Sequence, residues 1–172
     1  MESKLAPHSE KTETTAKGSD ILQLVTFKLG EEQFAVDILK VQEINRMKAI
    51  TKIPNTPNHV EGVVNLRGKV IPIVNLRKKI GLPEKENDEQ SRIMIMEIQG
   101  LTMGLIVDAV DEVLRIPAGI VEPSPTVSMG METGLIKGIA KLEDRLIVLI
   151  DLKSLFGIGD IALIEDVSGQ TT

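Results

Sequence analysis

Beyond Ile21 the apolar residues come in short runs broken by turn formers, the pattern of strands rather than long helices. LQLVTFKL (22–29) alternates in part, with Leu22, Leu24 and Thr26 predicted on one face. Gly30-Glu31-Glu32 reads as a turn and QFAVDI as a second strand. KVQEINRM reads as a third, placing Val41, Glu43 and Asn45 on one side and Gln42, Ile44 and Arg46 on the other. Both faces of that strand carry chemistry, so one of them is not ordinary solvent.

KIPNTPNHVEGVVNL opens with two prolines that break regular structure, and its strand VVNL runs into Arg67-Gly68. A glycine there suits the left-handed position of a tight hairpin, whose return strand is KVIPIV. Pro72 inside that strand argues for a sheet edge, or for a position whose N–H faces away from a ladder partner. NLRKKIGL predicts a short helix with Asn75 as N-cap and Gly81 as stop. PEKENDEQ (83–90) is a charged connector and the expected midpoint of the fold. RIMIMEI, LTMGLIV and VDEVLRI then read as strands, and PSPTVSMGMETG (123–134) as a long mobile loop. GIAKL and RLIVLI form a hairpin turning at Glu143-Asp144, followed by a helical turn capped by Asp151 and a C-terminal helix over 158–166.

These elements fall into two similar series. VEGVVNLRGKVIPIVNLRKKIGL, from Val60, lies over IKGIAKLEDRLIVLIDLKSLFGI, from Ile136. Gly62 meets Gly138, Leu66 meets Leu142, Ile71 meets Ile147, Leu76 meets Leu152 and Gly81 meets Gly157. FAVDILKVQEINRM, from Phe34, lies over MGLIVDAVDEVLRI, from Met103, matching Val41 with Val110 and Glu43 with Glu112. The chain is therefore read as a duplicated unit of three strands, a hairpin and a capped helical turn. A unit this small has a marginal core alone, so the two are expected to bury their mutual faces. The expected fold is mainly β, built of small Greek-key or SH3-like barrels that close their sheet edges. The two tips differ: Arg67 falls over Glu143, which predicts that only one half presents an arginine.

Composition narrows the function. The chain has 172 residues, 42% of them hydrophobic, enough for a substantial core in one domain or two small ones. Three Phe are its only aromatic residues, which removes the stacking platforms that bases need. A net charge of −5 without a basic block argues against nucleic acid and against an anionic membrane surface. No cysteine is present, excluding disulfides and thiolate chemistry. No apolar run has the length of a membrane span and no signal-peptide core is visible, so a soluble cytoplasmic protein is expected. Residues 1–20 read as a disordered tail, 21–166 as the folded region and 167–172 as a second tail.

Catalytic and metal motifs are absent from the sequence, and no cofactor is expected. His59 stands alone. Asp108, Asp111 and Glu112 read as solvated edge and turn carboxylates, and Arg77-Lys78-Lys79 as a solvated helix face. What remains is surface. Arg67 stands at a hairpin tip, where its fork can reach a partner's carboxylate or carbonyls, and Val41 shares a strand face with Glu43, although a lone valine is more often core.

DILKVQEI, NTP, GVVNLRG-x-VIPIVNLR and GLIVDAV-x-EVL together resemble the CheW family of bacterial chemotaxis coupling proteins, from about Ile21 to Ile164. Related modules occur in the histidine kinase CheA and in CheV, whose additional domains this chain has no room for. The resemblance implies two small five-stranded SH3-like barrels around a shared hydrophobic core. It implies a non-catalytic adaptor that joins the cytoplasmic tip of a methyl-accepting chemotaxis receptor to the regulatory domain of CheA and is recruited to membrane receptor arrays. By position it places receptor contacts on Val41, Glu43, Arg67 and Val113, with Arg92 and Gly104 as weaker matches, and a kinase contact at Gly62. Arg92 departs from the family, which usually has an apolar residue there. The alternatives are a CheV-type module and a small-molecule-binding β-barrel.

Overall fold

The computed structural model describes residues 20–123 and 135–169. The expected N-terminal tail before Asp20, and the expected loop from residue 124 on, lie outside them.

Among the described residues, eleven strands form two sheets. β1 (Ile21–Leu29), β2 (Glu32–Asp37), β8 (Ala109–Pro117), β9 (Val121–Glu122), β10 (Ile136–Leu142) and β11 (Arg145–Ile150) make the first, in the order β8-β1-β2-β11-β10-β9. β3 (Val41–Arg46), β4 (Val60–Leu66), β5 (Lys69–Asn75), β6 (Arg92–Ile98) and β7 (Leu101–Val107) make the second, in the order β3-β6-β7-β5-β4. The fold is mainly β, as the pattern predicts, and the first sheet gains the short β9 beyond the expected five strands.

The duplication is visible, with an exchange. The connector after residue 82 separates the two sequence units, yet each sheet takes its leading hairpin from the other unit. β2 joins β11 in parallel with Leu149 opposite Ala35, and β7 joins β5 in parallel with Ile73 opposite Gly104. These pairs are equivalent under the sequence overlay, in which Ala35 matches Gly104 and Ile73 matches Leu149. Both halves also carry a bulge before Glu43 or Glu112, and another before Gly62 or Gly138.

One core is shared. Val25 and Phe27 of β1, Val74 of β5, Met94 and Met96 of β6, and Val148 of β11 are all buried in it, with the Phe27 and Phe34 rings stacked at 6.0 Å. Smaller clusters cover the outer faces: Ile73, Ile93 and Ile106 on the second sheet, and Leu24, Ile116 and Ile147 on the first. Burial on both sides is why β1 departs from period 2. Leu24, Val25, Thr26 and Phe27 are all buried, and the Thr26 hydroxyl both donates to the Glu112 carbonyl and accepts from the Glu112 N–H, closing the bulge. Pro72 is not at an edge, because β5 lies between β7 and β4; the ladder to β7 starts one residue later, at Ile73.

α1 (Leu76–Lys79) and α2 (Leu152–Leu155) are the two helical turns, capped by Asn75 and Asp151 as expected. Each begins with a buried leucine. α3 (Ile158–Gly169) packs on β4 and β5 of the second sheet through Ile161, Ile164 and Val167. The helix thus extends past residue 166 into the segment expected to be a tail, because Val167 continues its buried stripe.

Candidate functional site

Arg67 and Gly68 both have left-handed backbone, with φ of 52° and 85°, which makes the tip between β4 and β5 a tight hairpin turn. The Asn65 side chain accepts from the Gly68 N–H at 2.9 Å and holds the turn. The Arg67 side chain is 70% exposed and forms an ion pair with Glu43 of β3. That hydrogen bond holds the Glu43 carboxyl below its ordinary range and raises the guanidinium. An exposed pair contributes little to stability. Its effect is positional: it joins a hairpin tip to β3, where half-buried Val41 packs on the shared core and Ile44 is exposed. Glu43 and Arg67 touch, but the bulge between Val41 and Glu43 undoes the face those two were expected to share: Val41 pairs with Met96 of the shared core, and Glu43 with Ile95 of the second sheet's own cluster.

The other predicted residues are distributed differently. Val113 is 52% exposed, but on β8 of the first sheet, opposite Val25. Arg92 lies on β6 opposite Arg46, with a guanidinium nitrogen turned back to the Glu89 and Ser91 carbonyls at 2.8 Å each. Gly104 is buried and offers no surface; a Cβ there would sit 2.7 Å from both Ile73 Cδ1 and Ile93 Cγ2. As a direct contact it is corrected: it is a packing glycine beneath the second sheet's outer cluster. Gly62 is likewise buried. Its φ is 147°, and a Cβ would lie 2.1 Å from the Thr51 carbonyl oxygen. Thr51 exchanges two 2.9 Å backbone hydrogen bonds with Val63, so Gly62 lets the segment after β3 close on β4 and presents no side chain to a partner.

Two further expectations change. Arg77 is not on a solvated face. Its Nε and Nη2 engage the Asp108 carboxylate at 2.9 and 2.8 Å, with side chains only 12% and 16% exposed. The Gly30 N–H donates to the same carboxylate at 2.7 Å. Burial pushes the Asp108 carboxyl up, but Arg77 and the Gly30 N–H outweigh it and hold it below its ordinary value. Lys78 pairs with Glu61 at 3.1 Å, and Lys79 with Asp160 of α3 at 2.7 Å. The trio is short-range ion pairing that ties α1 to its surroundings. Nor is the hairpin arginine confined to one half. Glu143 stands where Arg67 does, but Arg145, two residues on, reaches Glu112 at 2.7 Å. Both halves thus pair a hairpin arginine with an equivalent strand glutamate. The overlay of Glu43 on Glu112 was the signal for this; matching only the tip residues concealed it.

Burial lowers the affinity of His59 for a proton, and among the described residues its buried Nε2 has no hydrogen-bond partner. Among the described residues no group of three or more His, Asp or Glu is placed to hold a metal ion. No described helix is long and apolar enough to cross a membrane.

Comparison with known proteins agrees with this architecture. The family model described as "CheW-like domain" matches residues 23–159. A chemotaxis protein CheW of Klebsiella aerogenes is 34% identical over 146 residues, covering 85% of this chain and 88% of that protein. A chemotaxis protein CheV3 of Helicobacter pylori is 30% identical over 169 residues, but this chain spans 53% of its length. The crystal structure of the scaffolding protein TtCheW from Thermoanaerobacter tengcongensis superposes with a TM-score of 0.76 at 42% identity, over 82% of this chain and 96% of that one. With a duplicated two-sheet fold, paired hairpin arginines and this match across most of its length, the chain belongs to the CheW-like family.

Proposed function

We propose that this chain is a non-catalytic chemotaxis scaffold that holds a methyl-accepting receptor's cytoplasmic tip and the regulatory domain of the histidine kinase CheA at once, at the membrane receptor array. The observation that carries the reading is the Arg67–Glu43 pair, which fixes an exposed guanidinium against β3, an edge strand that also carries Val41 and the exposed Ile44 on its other face. A helical hairpin tip offers apolar anchors at helical spacing together with carboxylates and carbonyls, and such a face suits both. Val113 extends the apolar contact from the first sheet. Arg92 contributes with the donors that its backbone partners leave free. Gly104 and Gly62 act indirectly, by allowing the close packing that sets the faces.

Arg67→Asp is expected to weaken binding of a receptor-tip fragment at least tenfold, read by calorimetry, with a melting temperature within a few degrees of the unsubstituted protein, since a turn-tip charge change perturbs the fold little. Full affinity in the folded variant would refute this face. The bridging step is tested separately: immobilised receptor tip should retain this chain and the CheA regulatory domain together, and competition between the two would exclude a bridge.

A further inference from the structure

The β3–β6 ladder ends on two like charges. It places Arg46 directly opposite Arg92, and like charges in a cross-strand pair destabilise a sheet. The register fixes the side they face. Ile44 is opposite Met94, and Arg92 is opposite Val107 of β7; Met94 and Val107 are both buried in the shared core. Strand alternation therefore puts Ile44, Arg46 and Arg92 on the shared-core side of the second sheet, at its rim. Ile44 and Arg46 are exposed there, and Arg92 is half-buried.

Among the described residues neither guanidinium has an ion-pair partner. The nearby acids are committed elsewhere. Glu43, the acid of β3, faces the other way and is held by Arg67. Glu97, the acid of β6, stands opposite Thr102 at that strand's far end. Asp108, next after Val107, is held by Arg77 and the Gly30 N–H. Asp88 pairs with Lys85 at 2.9 Å, and Glu89 gives Arg92 only its backbone carbonyl. Arg92 spends Nη1 on that carbonyl and the one of Ser91, so Nε and Nη2 stay available. The other half does not repeat the pair: Arg115, the counterpart of Arg46, stands opposite Gln23.

We propose that Arg46 and Arg92 together seat a carboxylate side chain of the docked receptor tip, with an apolar residue of the same helix resting on Ile44. This rests on the adaptor reading and adds to it a selectivity: the chain favours tips that carry an acid at this place. Two adjacent guanidinium forks without an acid of their own select a carboxylate. The spacing selects a helix. Ile44 and Arg46 are two residues apart along a strand, about 6.6 Å, and side chains four residues apart on a helix are separated by a rise of about 6 Å. A partner acid one helical turn from an apolar anchor therefore meets both.

The test is calorimetry of the full chain with a fragment spanning the cytoplasmic hairpin tip of a methyl-accepting receptor from the same bacterium, and with versions of that fragment in which each Asp or Glu is changed singly to its amide. Arg46→Gln with Arg92→Gln should weaken binding at least tenfold. One amide change in the tip should cause a similar loss against the unsubstituted chain and no further loss against the double variant. Arg46→Gln alone should melt at the same temperature as the unsubstituted protein or higher, because it relieves the repulsion. Full affinity of the double variant, while Arg67→Asp still weakens binding, would overturn the seat and leave the adaptor reading standing. A loss in the double variant that couples to no acid of the tip would also overturn it. Failure of the unsubstituted chain to bind the tip at all would overturn both.

Discussion

Two arginines ten residues apart do different physical work. Arg67 is mostly exposed and tethered by one carboxylate, so it is available to a partner. Arg77 is nearly covered and shared between Asp108 and the Pro83 carbonyl, so it is committed to the fold. Removing one member of a fully buried pair costs about 3–5 kcal/mol, and this pair retains some solvent; Arg77→Ala should therefore cost about 2–3 kcal/mol in urea unfolding. The same pair sets a pH dependence. The Asp108 carboxyl is held below its ordinary value of 3.8, so its contribution is complete above that pH and is lost as the pH falls through the depressed value. Asp108→Asn should be destabilised at neutral pH, with the deficit against the unsubstituted protein shrinking below about pH 4. A deficit of constant size from pH 7 to pH 2 would show that the carboxylate's charge is not what matters. The sequence spoke for the two arginines unequally. A positive-φ tip with a following glycine is a local signal, so Arg67 was legible. The Arg77 partner lies 31 residues away on another strand, and no local pattern announces it.

At the scale of elements, the duplicated bulges separate backbone from side-chain constraint. Gly62 has the left-handed φ of 147° and would place a Cβ 2.1 Å from the Thr51 carbonyl oxygen, whereas the counterpart Gly138 would place one 2.6 Å from a movable Val121 side chain and 2.8 Å from the Glu122 carbonyl. Gly62→Ala should therefore lower stability by about 3 kcal/mol or more, and Gly138→Ala by less, measured as unfolding midpoints. Equal losses would place the constraint in the bulge itself rather than in the closing segment. Strand existence, turn chemistry and the two helix caps were readable because each depends on a few adjacent residues. The faces of β1 and the true surroundings of Gly62 and Gly104 were not, because burial on both sides of a sheet and contact with a remote segment erase the alternation that marks an exposed face.

For the whole molecule, the exchange of leading hairpins makes each half incomplete. β2 needs β11, and β7 needs β5. Separate fragments covering residues 1–86 and 87–172 should each lack stable tertiary structure, while their mixture should recover the dispersed amide spectrum of the intact chain. A fragment that folds alone would mean that its hairpin can return to its own unit. For the same reason, urea unfolding of the intact protein should be a single transition by fluorescence-independent probes such as circular dichroism and NMR. The duplication was legible from the paired Val60 and Ile136 series; the exchange was not, since two hairpins of the same apolar pattern satisfy either partner on paper.

That exchange also governs how the protein can be made. The strand that pairs with Phe34 and Ala35 follows them by about 110 residues, so β1 and β2 wait through the synthesis of that stretch with an open parallel edge. At about 5–20 residues per second, this leaves that apolar edge unpaired for several seconds or longer in every newly made chain. The acidic and lysine-bearing positions along the hairpin, Lys28, Glu31 and Glu32, keep charge beside it throughout the wait.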